Sequence, residues 1–156
     1  TGPQGITGAT GIQGPAGTAS VSQYAHIRTA QHNGVYHGDL VILQDNIVIQ
    51  GTEISHTKGE PFITLAPGDY LVNYRVTACP YRECNRYQNL RIALQVNNLM
   101  YPGGTANATS VWMAAVDMAG TTIVSENTSP FGLGIVNYSG IMVHFSDISI
   151  TVVKLN

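Results

Sequence analysis

From Ser20 onward the chain alternates apolar and polar residues with a period of two. In YLVNYRVTA, Tyr70, Val72, Tyr74, Val76 and Ala78 fall on one face, and Leu71, Asn73, Arg75 and Thr77 on the other. That is the pattern of a half-buried strand. LRIALQV repeats it with Leu90, Ile92, Leu94 and Val96, IMVHF with Ile141, Val143 and Phe145, and the terminal ISITVVKL with Ile148, Ile150 and Val152. Turn formers separate these runs: Asn33-Gly34, His37-Gly38-Asp39, Lys58-Gly59-Glu60-Pro61, Ala66-Pro67-Gly68-Asp69, Asn97-Asn98, Pro102-Gly103-Gly104 and Ser129-Pro130. Proline fixes φ, and glycine or asparagine accepts positive φ, so each is a stop with a mechanism. No window carries an amphipathic helical repeat. The pattern predicts an all-β fold of about eight to ten short strands, an antiparallel sandwich or barrel.

The first residues follow a different period. Gly2, Gly5, Gly8, Gly11, Gly14 and Gly17 occupy every third position. Only the collagen triple helix demands that spacing, because every third residue faces an axis too crowded for a Cβ. At a background of about 7% per position, six glycines in phase arise by chance on the order of once in 10⁷. Pro3 and Pro15 follow glycines and the third triplet positions hold Gln, Thr or Ala, so nothing depends on hydroxyproline. This reading divides the chain into a collagen-like stub, residues 1–19, and a head, residues 20–156. The stub is expected to be the end of a longer stalk, weak and disordered alone. Three such chains need a device that sets number and register. A head closing into a threefold ring supplies it by gathering three N-terminal ends on one axis.

Composition narrows the partners. Charged residues are 10% of the chain and the net charge is −2, against a usual charged share of about 25%, so no basic patch invites nucleic acid. The longest uncharged run, Asn127 to Val143, is broken by proline and glycines and is no membrane span. Cys79 and Cys84 bracket a short loop, where spacing favours a disulfide over free thiols and free thiols over a metal site. Asp39, Asp45, Asp69, Asp117 and Asp147 stand singly, without the clustered oxygens calcium requires, so neither metal nor cofactor is expected. The sequence has no G-x-S-x-G, H-E-x-x-H or P-loop, and Gly132-x-Gly134 lacks a third glycine. An enzyme is not expected.

The stretches GTEISHTKGEPFITLAPGDYLVNYRVTA, RIALQVNNLMYPGG and ISITVVKLN, read together with the Gly-x-y stub, resemble the C-terminal heads of bacterial collagen-like spore-surface (exosporium, BclA-type) glycoproteins. Those heads are relatives of the globular head of the first complement component and of tumour necrosis factor. The CPYREC loop looks like an insertion, and Asn98 stands where glycine commonly follows. The resemblance implies a homotrimeric jelly roll, extracellular on the spore surface, that caps filaments of the outer nap and reaches basal-layer proteins through upstream sequence. It also implies O-linked sugars at Thr7, Thr10 and Thr18.

An interface should be apolar at its centre. Tyr24, Trp112, Met113, Tyr138 and Met142 are its candidates, although burial statistics assign at least half of them to the core. Alternative roles are an adhesin head that grips a host protein or glycan, and a collagen-like phage fibre tip. An adhesin would use the loops His32 to Gly38, Tyr81 to Gln88 and Phe131 to Asn137. Tyr81, Arg82, Arg86 and Tyr87 lead there, because Tyr and Arg are enriched at interfaces.

Overall fold

The computed structural model describes residues 1–3, 23–30, 32–82 and 87–155. Gly5, Gly8, Gly11, Gly14, Gly17, Thr7, Thr10, Thr18, Cys84 and Arg86 lie outside them. Gly2 is exposed.

Eleven strands form among the described residues, and no helix. They are β1 (Tyr24–Thr29), β2 (His32–Val35), β3 (Asp45–Gln50), β4 (Ile54–Ser55), β5 (Ile63–Leu65), β6 (Gly68–Pro80), β7 (Gln88–Val96), β8 (Leu99–Ser110), β9 (Val116–Glu126), β10 (Phe131–Asn137) and β11 (Val143–Lys154). The count exceeds the sequence expectation because β4 and β5 are two and three residues long, too short to show a period.

Two antiparallel sheets face each other. The first runs β3-β1-β11-β6-β9 with β2 also on β11, and the second runs β4-β5-β10-β7-β8. The last strand therefore lies between β1 and β6, the crossing that makes the sandwich a jelly roll. Between the sheets lie the residues that alternation selected: Tyr70, Val72, Tyr74, Val76, Ala78, Leu90, Ile92, Leu94, Ile148, Ile150 and Val152 are all buried. Each large aliphatic side chain among them contributes about 1.5–3 kcal/mol of burial. Tyr74 ties the sheets at their open edge. Its ring lies where Gly120 on β9 has no side chain, and its hydroxyl donates across to Gly104 O on β8 at 3.1 Å. Burial pushes its pKa up.

Three expected turns or loops are strand. Pro102-Gly103-Gly104 lies within β8, where the register with β7 shifts between Ala93 and Gln95 and the strand bulges. Asn33-Gly34 lies in β2. Phe131–Asn137, expected as a ligand loop, is β10, buried in the middle of the second sheet. Its apolar run lacks alternation because Leu40, Pro61 and Phe62 cover its outer side. The Asn97-Asn98 turn is confirmed as a two-residue hairpin loop with φ of 49° and 65°. Asparagine accepts that left-handed pair almost as glycine does.

Candidate functional site

The outer face of the first sheet carries an apolar row at one end. Tyr24 on β1 pairs with Val153 on β11, Val153 with Leu71 on β6, and Leu71 with Ile123 on β9. Their strand neighbours Ala25, Val152, Val72 and Val124 point into the core, so these four point out. The row begins at Tyr24, the first residue of β1.

Away from that row the face carries polar side chains paired with one another, with the exposed Val48 of β3 beside His26. His26 Nε2 meets Ser149 Oγ at 3.0 Å, and Thr121 donates to Asn73 at 2.6 Å. Arg28 pairs with Asp147 at 3.1 Å and Arg75 with Asp117 at 3.0 Å. The hydroxyl of Thr77 and then the Arg75 guanidinium hold the Asp117 carboxyl below its ordinary pKa.

Beside the row, on the adjoining edge, a second apolar patch surrounds the β7–β8 hairpin. Leu99 is 73% exposed, and with Val96, Met100, Tyr101 and Pro102 it borders an open cleft of about 390 Å³. Tyr101 connects the two patches, because its hydroxyl donates to Ile123 O at 3.0 Å.

The opposite end of the sandwich displays aromatic side chains: Tyr36, Tyr81, Tyr87, Trp112 and Tyr138 are all exposed. Trp112 and Met113 form the central pair of a turn closed by Ala114 N–H donating to Val111 O at 3.0 Å, with φ of 55° and 62°. Bulky residues adopt that conformation at a cost of about 1–2 kcal/mol each.

The five interface candidates do not form one patch, and none lies in the core. Tyr24 joins the apolar row. Trp112 and Met113 occupy the far turn. Met142 lies with Tyr81 beside Gly34. Tyr138 is on the outer face of the second sheet, beside Arg91. Edge positions and turns keep large side chains out of the core as readily as an interface does. Of the loop candidates, Tyr81, Arg82 and Tyr87 are exposed at the far end. Cys79 on β6 is a half-buried free thiol whose pKa burial raises; its expected partner, Cys84, lies outside the described residues. Among the described residues no three His, Cys, Asp or Glu side chains converge.

Asn137, expected at the end of an exposed loop, is fully buried. Its amide donates to Val35 O at 2.9 Å and Ile141 O at 2.8 Å, and its carbonyl accepts from Ser139 N–H at 3.0 Å. The only local signal is the turn it makes with Ser139, two residues on.

No family model matches this chain, and no curated protein matches it. Among solved structures it is similar to the globular domain of zebrafish complement 1qA protein, at 8% identity over 86% of this chain and 98% of that one, with a TM-score of 0.64. It is similar also to the Eiger TNF of S. frugiperda, at 14% identity over 86% and 92%, TM-score 0.64. Murine APRIL is a third, at 9% identity over 85% and 100%, TM-score 0.56. The chain thus has the jelly-roll fold of complement-head and tumour-necrosis-factor domains.

Proposed function

We propose that this chain is a non-enzymatic structural protein of the bacterial spore surface, whose head trimerises and sets the register of a collagen-like stalk in the exosporium nap. The observation that carries the reading is the apolar row of Tyr24, Leu71, Val153 and Ile123, which starts at the first residue of β1. A cyclic trimer needs two different patches on each copy, one meeting the other around the axis. The chain offers two side by side: the row on the sheet face, and Leu99 with Met100 on the adjoining edge.

Packing the edge of one copy onto the face of the next brings three Gln23 residues, and so three stalks, together. The paired charges beyond the row have their partners within the chain, which lowers the cost of covering them. Light scattering of the full chain at micromolar concentration tests this. The expected mass is three times the 16.6 kDa of one chain; a monomer overturns the proposal.

A further inference from the structure

The outer face of the second sheet, turned away from the proposed trimer contact, holds a row of four polar or aromatic side chains. Asn107 on β8 pairs with Arg91 on β7. Tyr138, just beyond β10, donates its N–H to Arg91 O at 2.8 Å. The Arg91 guanidinium lies 5.2 Å from the centre of the Tyr138 ring, and the centre of the His37 ring lies 4.9 Å from it.

Hydrogen bonds fix the backbone of Arg91 and the ring of His37. Ser139 Oγ accepts from Arg91 N–H at 2.8 Å and donates to Arg91 O at 3.0 Å. Gly140 N–H donates to His37 Nδ1 at 3.1 Å, which leaves the imidazole proton on Nε2.

Arg91 is the anomaly. The ion pairs of the described residues join Arg28 to Asp147, Arg75 to Asp117 and Lys154 to Glu53, and none includes Arg91. Its Nε is buried with no hydrogen-bond partner. Among the described residues no anion pairs with this half-buried cation, which lies against a phenol ring with its Nε desolvated and unpartnered. Asp39, exposed on the neighbouring turn, does not pair with it.

The geometry points to a binding site for an acidic sugar, a pyranose bearing a carboxylate, which we propose lies along Asn107, Arg91, Tyr138 and His37. The carboxylate meets the guanidinium in a charge-assisted hydrogen bond. His37 Nε2–H and the Asn107 amide serve the ring hydroxyls, and the phenol edge supplies an apolar contact. Three neighbouring strands span about 10 Å, the length of one or two sugar rings. Asn89 and Thr109, the next cross-strand pair, hydrogen-bond to each other at 3.0 Å and offer only amide and hydroxyl groups. That surrounding suits hydroxyls better than the desolvated apolar centre of a protein contact.

The test is a titration of the full chain with methyl glucuronide, methyl glucoside and acetate, read by NMR shifts of the Arg91 and Tyr138 amides. Glucuronide is expected to saturate these shifts in the millimolar range, with glucoside and acetate at least about tenfold weaker. Arg91→Gln should abolish the response. Asn107→Asp should abolish it too, by giving Arg91 a carboxylate from its own sheet while the melting temperature holds or rises. Equal binding of glucoside or acetate, undiminished binding by either variant, or no saturation by about 10 mM glucuronide overturns the proposal. The oligomeric state plays no part in this readout, so it stands or falls separately from the trimer.

Discussion

The two sheets have the same architecture but opposite outer faces. On the first, Arg28, Arg75, Asp117, Asp147 and His26 have partners on neighbouring strands, and one end carries an apolar row. On the second, the strand cation Arg91 lies against a ring with no paired anion among the described residues. A face satisfied by its own residues loses little when another protein covers it, whereas a face with an unmet cation gains when a ligand supplies the missing charge. The first therefore suits permanent assembly and the second suits an exchangeable ligand.

The largest expected effect comes from breaking the difference at the row. Leu71→Asp puts a charge with no partner at the centre of the proposed contact, and should weaken the trimer by about a hundredfold or more. Thr105→Asp, on the outer face of the second sheet, should leave it intact; sedimentation of the two variants side by side checks this.

Next is Asn137→Ala, which strips the partners from Val35 O, Ile141 O and Ser139 N–H. It should cost about 3 kcal/mol. Denaturant unfolding measures the loss, and amide exchange should rise first around Ser139 rather than in β6 or β11.

The smallest effect is on pH. The Asp117 pKa is lowered in the folded chain, by Thr77 first and then Arg75. Its contribution is therefore complete above the ordinary carboxylate pKa of 3.8 and is lost as pH falls below it through the folded value. Asp117→Asn should flatten that acid limb slightly in thermal melts between about pH 2 and 5.

How much of this was legible depended on distance along the chain. Tyr70 to Ala78 announced their inward face because alternation is a property of adjacent residues. Asn97-Asn98 announced a turn for the same reason. Gly132 and Gly134 read as a failed phosphate motif, yet they are small because Phe62, far earlier in the chain, lies across them at 3.2–3.3 Å from where a Cβ would sit. Pro102-Gly103-Gly104 read as a turn because a bulge and a turn ask for the same residues; only the pairing with β7 separates them. At the candidate site, Tyr138 was visible as a large aromatic outside any strand pattern. His37 lay within the expected loop His32 to Gly38, but its meeting with Tyr138 was not visible, and Arg91 was not singled out at all, since strand register and the loop along β10 bring the three together.

By itself the sequence determined the all-β class, the inward face of its long strands and the period-three segment, all set by short-range sterics and alternation. Tertiary structure alone decided which outward residues meet: the row from Tyr24 to Ile123 and the line from Asn107 to His37 each combine segments from distant parts of the chain. Their neighbours are chosen by hydrogen-bond register between strands, and register is a property of pairs of strands rather than of either one alone.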